Sequence, residues 1–232
     1  MSTYPREVAP PALDRHLEQL AELLGRMCTQ AAANLRDASA GLLDGRTRPA
    51  EKVAFGDTAI EGLRGDIERV ATDALLFHAP VAGDLRIVVS AIHSSDDLVR
   101  MGVLARHVAE VALRTRPPCA VPDEVRPAFV DMSRLGVALA LKAAEVVRTR
   151  NVVLAVELDA DDEVMDALHA RMFHVLMDRS WPHGVAAAVD VTLLARYYER
   201  FADHAVQVAG ETVTAVTGQH AHDVAAMLGR AR

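Results

Sequence analysis

Leu98-Val99-Arg100-Met101-Gly102-Val103, followed by Ala105, Val108 and Ala109, returns as Tyr198-Glu199-Arg200-Phe201-Ala202-Asp203, followed by Ala205, Val208 and Ala209, at an offset of 100 residues. Apolar residues in both copies step by three or four, the spacing of one helix face. A second match lies upstream, where Asp57-xxx-Glu61-x-Leu63 aligns with Asp162-xxx-Asp166-x-Leu168 at an offset of 105. Two segments repeated in the same order at nearly the same distance mark an internal duplication, so the chain reads as one helical unit used twice.

Working outward, Leu13, Leu17, Leu20, Leu24, Met27, Ala31, Leu35, Ala38 and Leu42 form one apolar stripe, closed by the stop signals Gly41, Asp44 and Gly45. This predicts a first helix of roughly 30 residues, about 45 Å long. A second is expected from Pro49 to His78, ending where Ala79 precedes Pro80, and a third from Val81 to Arg114. Pro117, Pro118 and Pro122 then break the pattern and mark a joint between halves. Beyond it, Val125, Phe129, Met132, Gly136, Leu139, Ala143 and Val146 predict a fourth helix ending near Arg150 and Asn151. The fifth is expected over 152–178, and after the turn Trp181-Pro182-His183-Gly184 a sixth runs from Val185 to Thr217, stopped by Gly218. The expected fold class is all-α: a tandem repeat of two three-helix bundles built from six long antiparallel helices, elongated and rod-like. The boundaries are a tail at 1–11, a bundle at 12–116, the joint at 117–122, a second bundle at 123–218 and a tail at 219–232, helical or frayed.

Composition agrees. The 232 residues are 51% hydrophobic and 25% charged with only 4% aromatic, which excludes disorder, collagen and a small disulfide scaffold and favours close-packed helices. A net charge of −7 argues against nucleic acid and anionic lipid as partners. Cys28 and Cys119 form no CxxC pair and read as free thiols of a reducing compartment. Pro5, Arg6, Glu7 and Pro10 stand where a signal peptide needs an apolar run, and Lys142 and Glu145 interrupt the richest apolar stretch, so a cytoplasmic chain without membrane insertion is expected. Phosphate loops, GxGxxG, HExxH and GxSxG are all missing.

Ala79-Pro80-Val81-Ala82-Gly83-Asp84-Leu85-Arg86, Asp97-Leu98-Val99-Arg100-Met101-Gly102, and Tyr198-Glu199-Arg200-Phe201-Ala202-Asp203-His204-Ala205 with Val216-Thr217-Gly218 resemble, in order and spacing, motifs of the PhoU family. The likeness runs over residues 13–218. It implies a six-helix cytoplasmic, dimerising regulator that links a phosphate-importing ABC transporter, through its ATPase, to a sensor histidine kinase and represses the phosphate-starvation response. It also implies metal at E(D)xxxD motifs.

Carboxylates four residues apart share a helix face, and two such pairs on facing helices can hold a cation. Asp162 and Asp166 on the fifth helix and Glu199 and Asp203 on the sixth form such a set, with His169 as an added nitrogen ligand for iron, manganese, zinc or magnesium. The competing reading is plain surface chemistry, in which Arg196 pairs with Glu199, Arg200 pairs with Asp203, and Asp159, Asp161, Asp162 and Glu163 favour the positive end of the fifth helix. In the first half Asp57 and Glu61 face Val99 and Val103 in place of acids, and Arg64 stands where His169 does and is expected to neutralise Asp57 and Glu61. At most one metal centre per chain is therefore expected, in the second bundle. Arg86, Arg100 and Arg200 are the candidates for partner binding, against solvated or salt-bridging roles. His93 and His107 read as surface or core residues. A non-enzymatic adaptor is the expected function; the rival is a ferritin-like di-metal carboxylate enzyme, which needs two Glu-x-x-His motifs where this chain has the single Asp166-x-x-His169.

Overall fold

A computed structural model describes residues 11–56, 58–114, 121–178 and 181–230. Helices α1 (Pro11–Asp44), α2 (Thr47–Glu51), α3 (Ala59–His78), α4 (Ala82–Arg114), α5 (Arg126–Thr149), α6 (Val152–Leu176), α7 (Gly184–Thr217) and α8 (Ala221–Arg230) follow in order. Most boundaries fall at the expected signals. Ala79 and Gly218 adopt left-handed backbone after α3 and α7, and the Asn151 side chain caps α6 by accepting from the Leu154 amide at 3.1 Å.

The expected second helix is interrupted. Between α2 and α3 the chain relaxes into a π-helical turn at Lys52–Gly56 and restarts after Thr58. Ala50 and Val53 before the break and Ile60 and Leu63 after it are all buried, so the apolar period crosses the gap and hides it. The short α2 rests directly on α1 at Gly41, where an added Cβ would come within 2.5 Å of the Ala50 methyl. The tail past Gly218 is helical as α8, with Val224 buried. The joint at 117–122 lies outside the described residues up to 120, as do Cys119 and the tail at 1–10.

The two halves share one core and lie side by side. The most extensive contacts are α4 on α7, α1 on α4 and α1 on α5, and α5 on α7 closes a ring of four helices, with α3 and α6 flanking it. Pairs along α4 and α7 run in opposite directions: Arg86 with Ala215, His93 with Glu211, Asp97 with His204, the rings of His107 and Tyr197, then Arg114 with Asp190. Between the Asp97–His204 and His107–Tyr197 pairs, Met101 falls level with Phe201, both fully buried. Equivalent residues of the repeat thus meet, and a pseudo-twofold axis passes through the duplicated motif. Helices α1 and α5 cross in the same antiparallel sense, with Arg126 donating to the Leu43 carbonyl, Leu35 against Gly136 and Arg148 paired with Glu22.

Two polar contacts fix this seam within the apolar core. Ser39 Oγ donates to the Leu35 carbonyl at 2.7 Å, so the Tyr198 hydroxyl, 2.7 Å away, donates to Ser39. His204 Nδ1 lies 3.0 Å from Asp97 Oδ1, both side chains nearly buried. Replacing Tyr198 by Phe keeps the ring packed on Phe129 and removes only the hydroxyl bond. It is expected to cost about 0.5–1.5 kcal/mol, whereas Tyr198→Ala, which also leaves a cavity, costs about 3–5 kcal/mol, both read from urea denaturation.

Candidate functional site

Helices α6 and α7 pack along their length and bring Asp162, Asp166, Glu199 and Asp203 into one electrostatic cluster. Glu199 is its buried floor, Asp162 is half-buried, and Asp166 and Asp203 open to solvent. Burial raises the Asp162 carboxyl to about 7, and the charges of Asp203, Asp166, Asp159 and Glu199 push in the same direction. Glu199 is also raised, by burial first and then by Asp203, while Arg196 and His169 oppose the shift. His169 Nδ1 stands 4.0 Å from Glu199 Oε1, so the sixth-helix acid and the fifth-helix histidine do meet.

Two buried atoms in this cluster, Asp162 Oδ1 and His169 Nε2, have no hydrogen-bond partner among the described residues. Such atoms are costly unless something binds them. In kind, carboxylates plus an imidazole suit a divalent cation. In spacing the set is not closed: among the described residues no three His, Cys, Asp or Glu side chains converge on one point, and Glu199 is engaged by Arg196. That ion pair is one the surface-chemistry reading expected; the other is missing, since Arg200 makes none with Asp203 among the described residues. The dipole explanation for Asp159, Asp161, Asp162 and Glu163 is corrected, because α6 begins at Val152 and places them beyond its first turn. Asp161 instead binds Lys142 of α5 at 2.8 Å.

The first half differs. Asp57 lies outside the described residues, Glu61 is exposed, and Val99 and Val103 are partly buried. Arg64 bridges Glu68 at 3.0 Å and Asp96 at 3.2 Å and makes no ion pair with Glu61 among the described residues; Asp57, the other acid it was expected to neutralise, lies outside them. Of the three arginines, Arg86 is turned inward: its Nε donates to the Ala215 carbonyl at 3.4 Å and its guanidinium lies over Gly218, at the negative end of α7. Arg100 and Arg200 are exposed and have no partner among the described residues. His93 and His107 sit at the surface beside Glu211 and Glu110. Cys28 is buried, which pushes its thiol up to about 12 and keeps it inert.

Motif reading missed two features. One is the Asp97–His204 pair. The other is an exposed apolar stripe in each half, Leu85 with Val89 on α4 and Val185 with Val189 on α7, again 100 residues apart. Eleven residues, about three helical turns, separate Val89 from Arg100 and Val189 from Arg200, so stripe and arginine share a face in both copies. The offset that exposed the duplication carried this signal too.

The PhoU domain family matches residues 24–112 and 129–212. The phosphate-specific transport system accessory protein PhoU homolog 2 of Mycobacterium tuberculosis is 46% identical over 207 residues, 89% of this chain and 97% of its own length. PhoU homolog 1 of Mycobacterium leprae is 44% identical over 212 residues, covering 91% and 96%. The crystal structure of the phosphate transport system regulatory protein PhoU from Streptococcus pneumoniae superposes with a TM-score of 0.80 at 20% identity, covering 90% of this chain and 98% of that one. PhoU from Pseudomonas aeruginosa gives 0.77 at 21% identity, covering 89% and 99%. Both share the fold.

A carboxyl that ionises near 3.8 when unfolded and near 7 when folded makes the fold less stable as pH rises between those values. With chelator present, Asp162→Asn is therefore expected to melt about 2–4 °C above the parent at pH 8 and to converge with it near pH 4, followed by circular dichroism.

Proposed function

The chain belongs to the PhoU family, and from that premise we propose that it is a cytoplasmic negative regulator of phosphate uptake and phosphate-responsive signalling. It works without catalysis, as a homodimer that binds a sensor histidine kinase and the ATPase of a phosphate ABC transporter. The observation that carries the adaptor reading is the outer face of α4 and α7. It presents an apolar stripe in each half and an arginine unpaired among the described residues, related by the pseudo-twofold axis. Exposed apolar residues and arginine on one face are the composition of protein interfaces, and the long helices under them are held by a shared core. No helix among the described residues is long and apolar enough to cross a membrane. The di-metal enzyme finds no support in the comparisons, which match phosphate transport accessory and regulatory proteins.

In the second bundle Asp162, Asp166, Glu199, Asp203 and His169 are the residues that would hold a cation, with Arg196 released from Glu199. Bound there, a divalent cation offsets the carboxylate repulsion and ties α6 to α7. Its role is structural, tensioning one side of the docking face.

The test is affinity capture from lysate, with bound proteins identified by mass spectrometry. The parent is expected to recover a sensor kinase and a phosphate-transporter ATPase. Arg100→Glu/Arg200→Glu, both at exposed positions, is expected to lose at least tenfold of each with an unchanged melting temperature. Recovery of neither partner by the parent overturns the proposal.

A further inference from the structure

His16 of α1 and His78 of α3 place their rings 5.1 Å apart, centroid to centroid, and tilted by 51°. His16 Nδ1 is 2.8 Å from the Ala12 carbonyl, which can only accept. Nδ1 therefore carries the proton, and the Nε2 lone pair is free. A ring nitrogen anchored on a backbone carbonyl while the other stays open is the arrangement that prepares histidine to bind a metal. His78 has no hydrogen-bond or ion-pair partner among the described residues.

Geometry agrees with the chemistry. A zinc–nitrogen bond is about 2.0–2.1 Å and a ring centroid lies about 1.2 Å inside its nitrogen, so two imidazoles on a tetrahedral ion have centroids about 5 Å apart. Both backbones are held. His16 sits between the buried Leu13 and Leu17, and His78 is the last residue of α3, its exit fixed by Ala79 at φ 42°. We propose that His16 and His78 form a two-histidine clip for a divalent transition metal, of the zinc, nickel or copper class, joining α1 to α3 at the end of the first bundle. Water completes the coordination. The clip does not rest on the regulatory reading, and it is separate from the acidic cluster between α6 and α7, since the two draw on different helices.

The experiment is a zinc titration of the full-length Asp162→Asn/Glu199→Gln protein, with the acidic cluster disabled, followed by melting temperature and by histidine ring resonances in ¹H–¹⁵N spectra. Saturable movement of the His16 and His78 ring nitrogens with a rise of several degrees in melting temperature is expected. Either His16→Gln or His78→Gln in that background, with its melting temperature in chelator unchanged, removes both effects. Ring signals of His16 and His78 that ignore zinc, or a thermal rise that survives both substitutions, overturn the clip.

Discussion

The antiparallel crossing of α4 over α7 is the constraint on which the rest depends. Ala105 and Ala109 on one helix and Ala205 and Ala209 on the other are all buried, and small residues at these spacings let two long helices approach closely. Each half alone would expose that surface, so the bundles are stable as a pair. The seam also explains its own polar contacts. Tyr198 with Ser39 and Asp97 with His204 are satisfied only when the halves are in register, and each would strand a buried polar group if they slipped.

Much of this was legible because a duplicated sequence reports twice. The stripe at 13–42, the turn at Ala79-Pro80 and the stop at Gly218 use strong local signals, and helices follow them. The break before Ala59 was hidden because the buried residues on either side preserve the helical period, and a π turn has no composition of its own. Which helices face each other across the halves was hidden for another reason. Periodicity identifies an apolar face but not its partner, so the ring of α1, α4, α7 and α5 needed coordinates. At the site, spacing placed Asp162, Asp166, Glu199 and Asp203 on facing helices, where their charges act on one another, but it could not show that no three of them converge on one point among the described residues. The choice of partner was less visible: Arg196 reaches Glu199, whereas Arg64 turns to Glu68 and Asp96.

The two halves have diverged in charge while keeping shape. At the positions where α7 carries Glu199 and Asp203, α4 carries Val99 and Val103. Valine needs no partner when partly buried; a carboxylate does, and burial beside other acids pushes the Asp162 and Glu199 carboxyls up, toward the neutral form. Among the described residues, the second half therefore holds electrostatic stress that the first does not, concentrated between α6 and α7.

That asymmetry lies beside a face that has stayed symmetric. Leu85, Val89 and Arg100 keep their counterparts in Val185, Val189 and Arg200, although none of the six is needed by the core. Burial explains why Met101 and Phe201 are both large and apolar at the axis, but solvent-facing positions are free of that demand. An apolar stripe that remains 39–81% exposed in both copies costs solubility and gains only part of the burial a core position gives. Core packing alone does not account for its repetition, and Glu199 and Asp203 make the α7 copy sensitive to charge at the two positions where α4 carries valine.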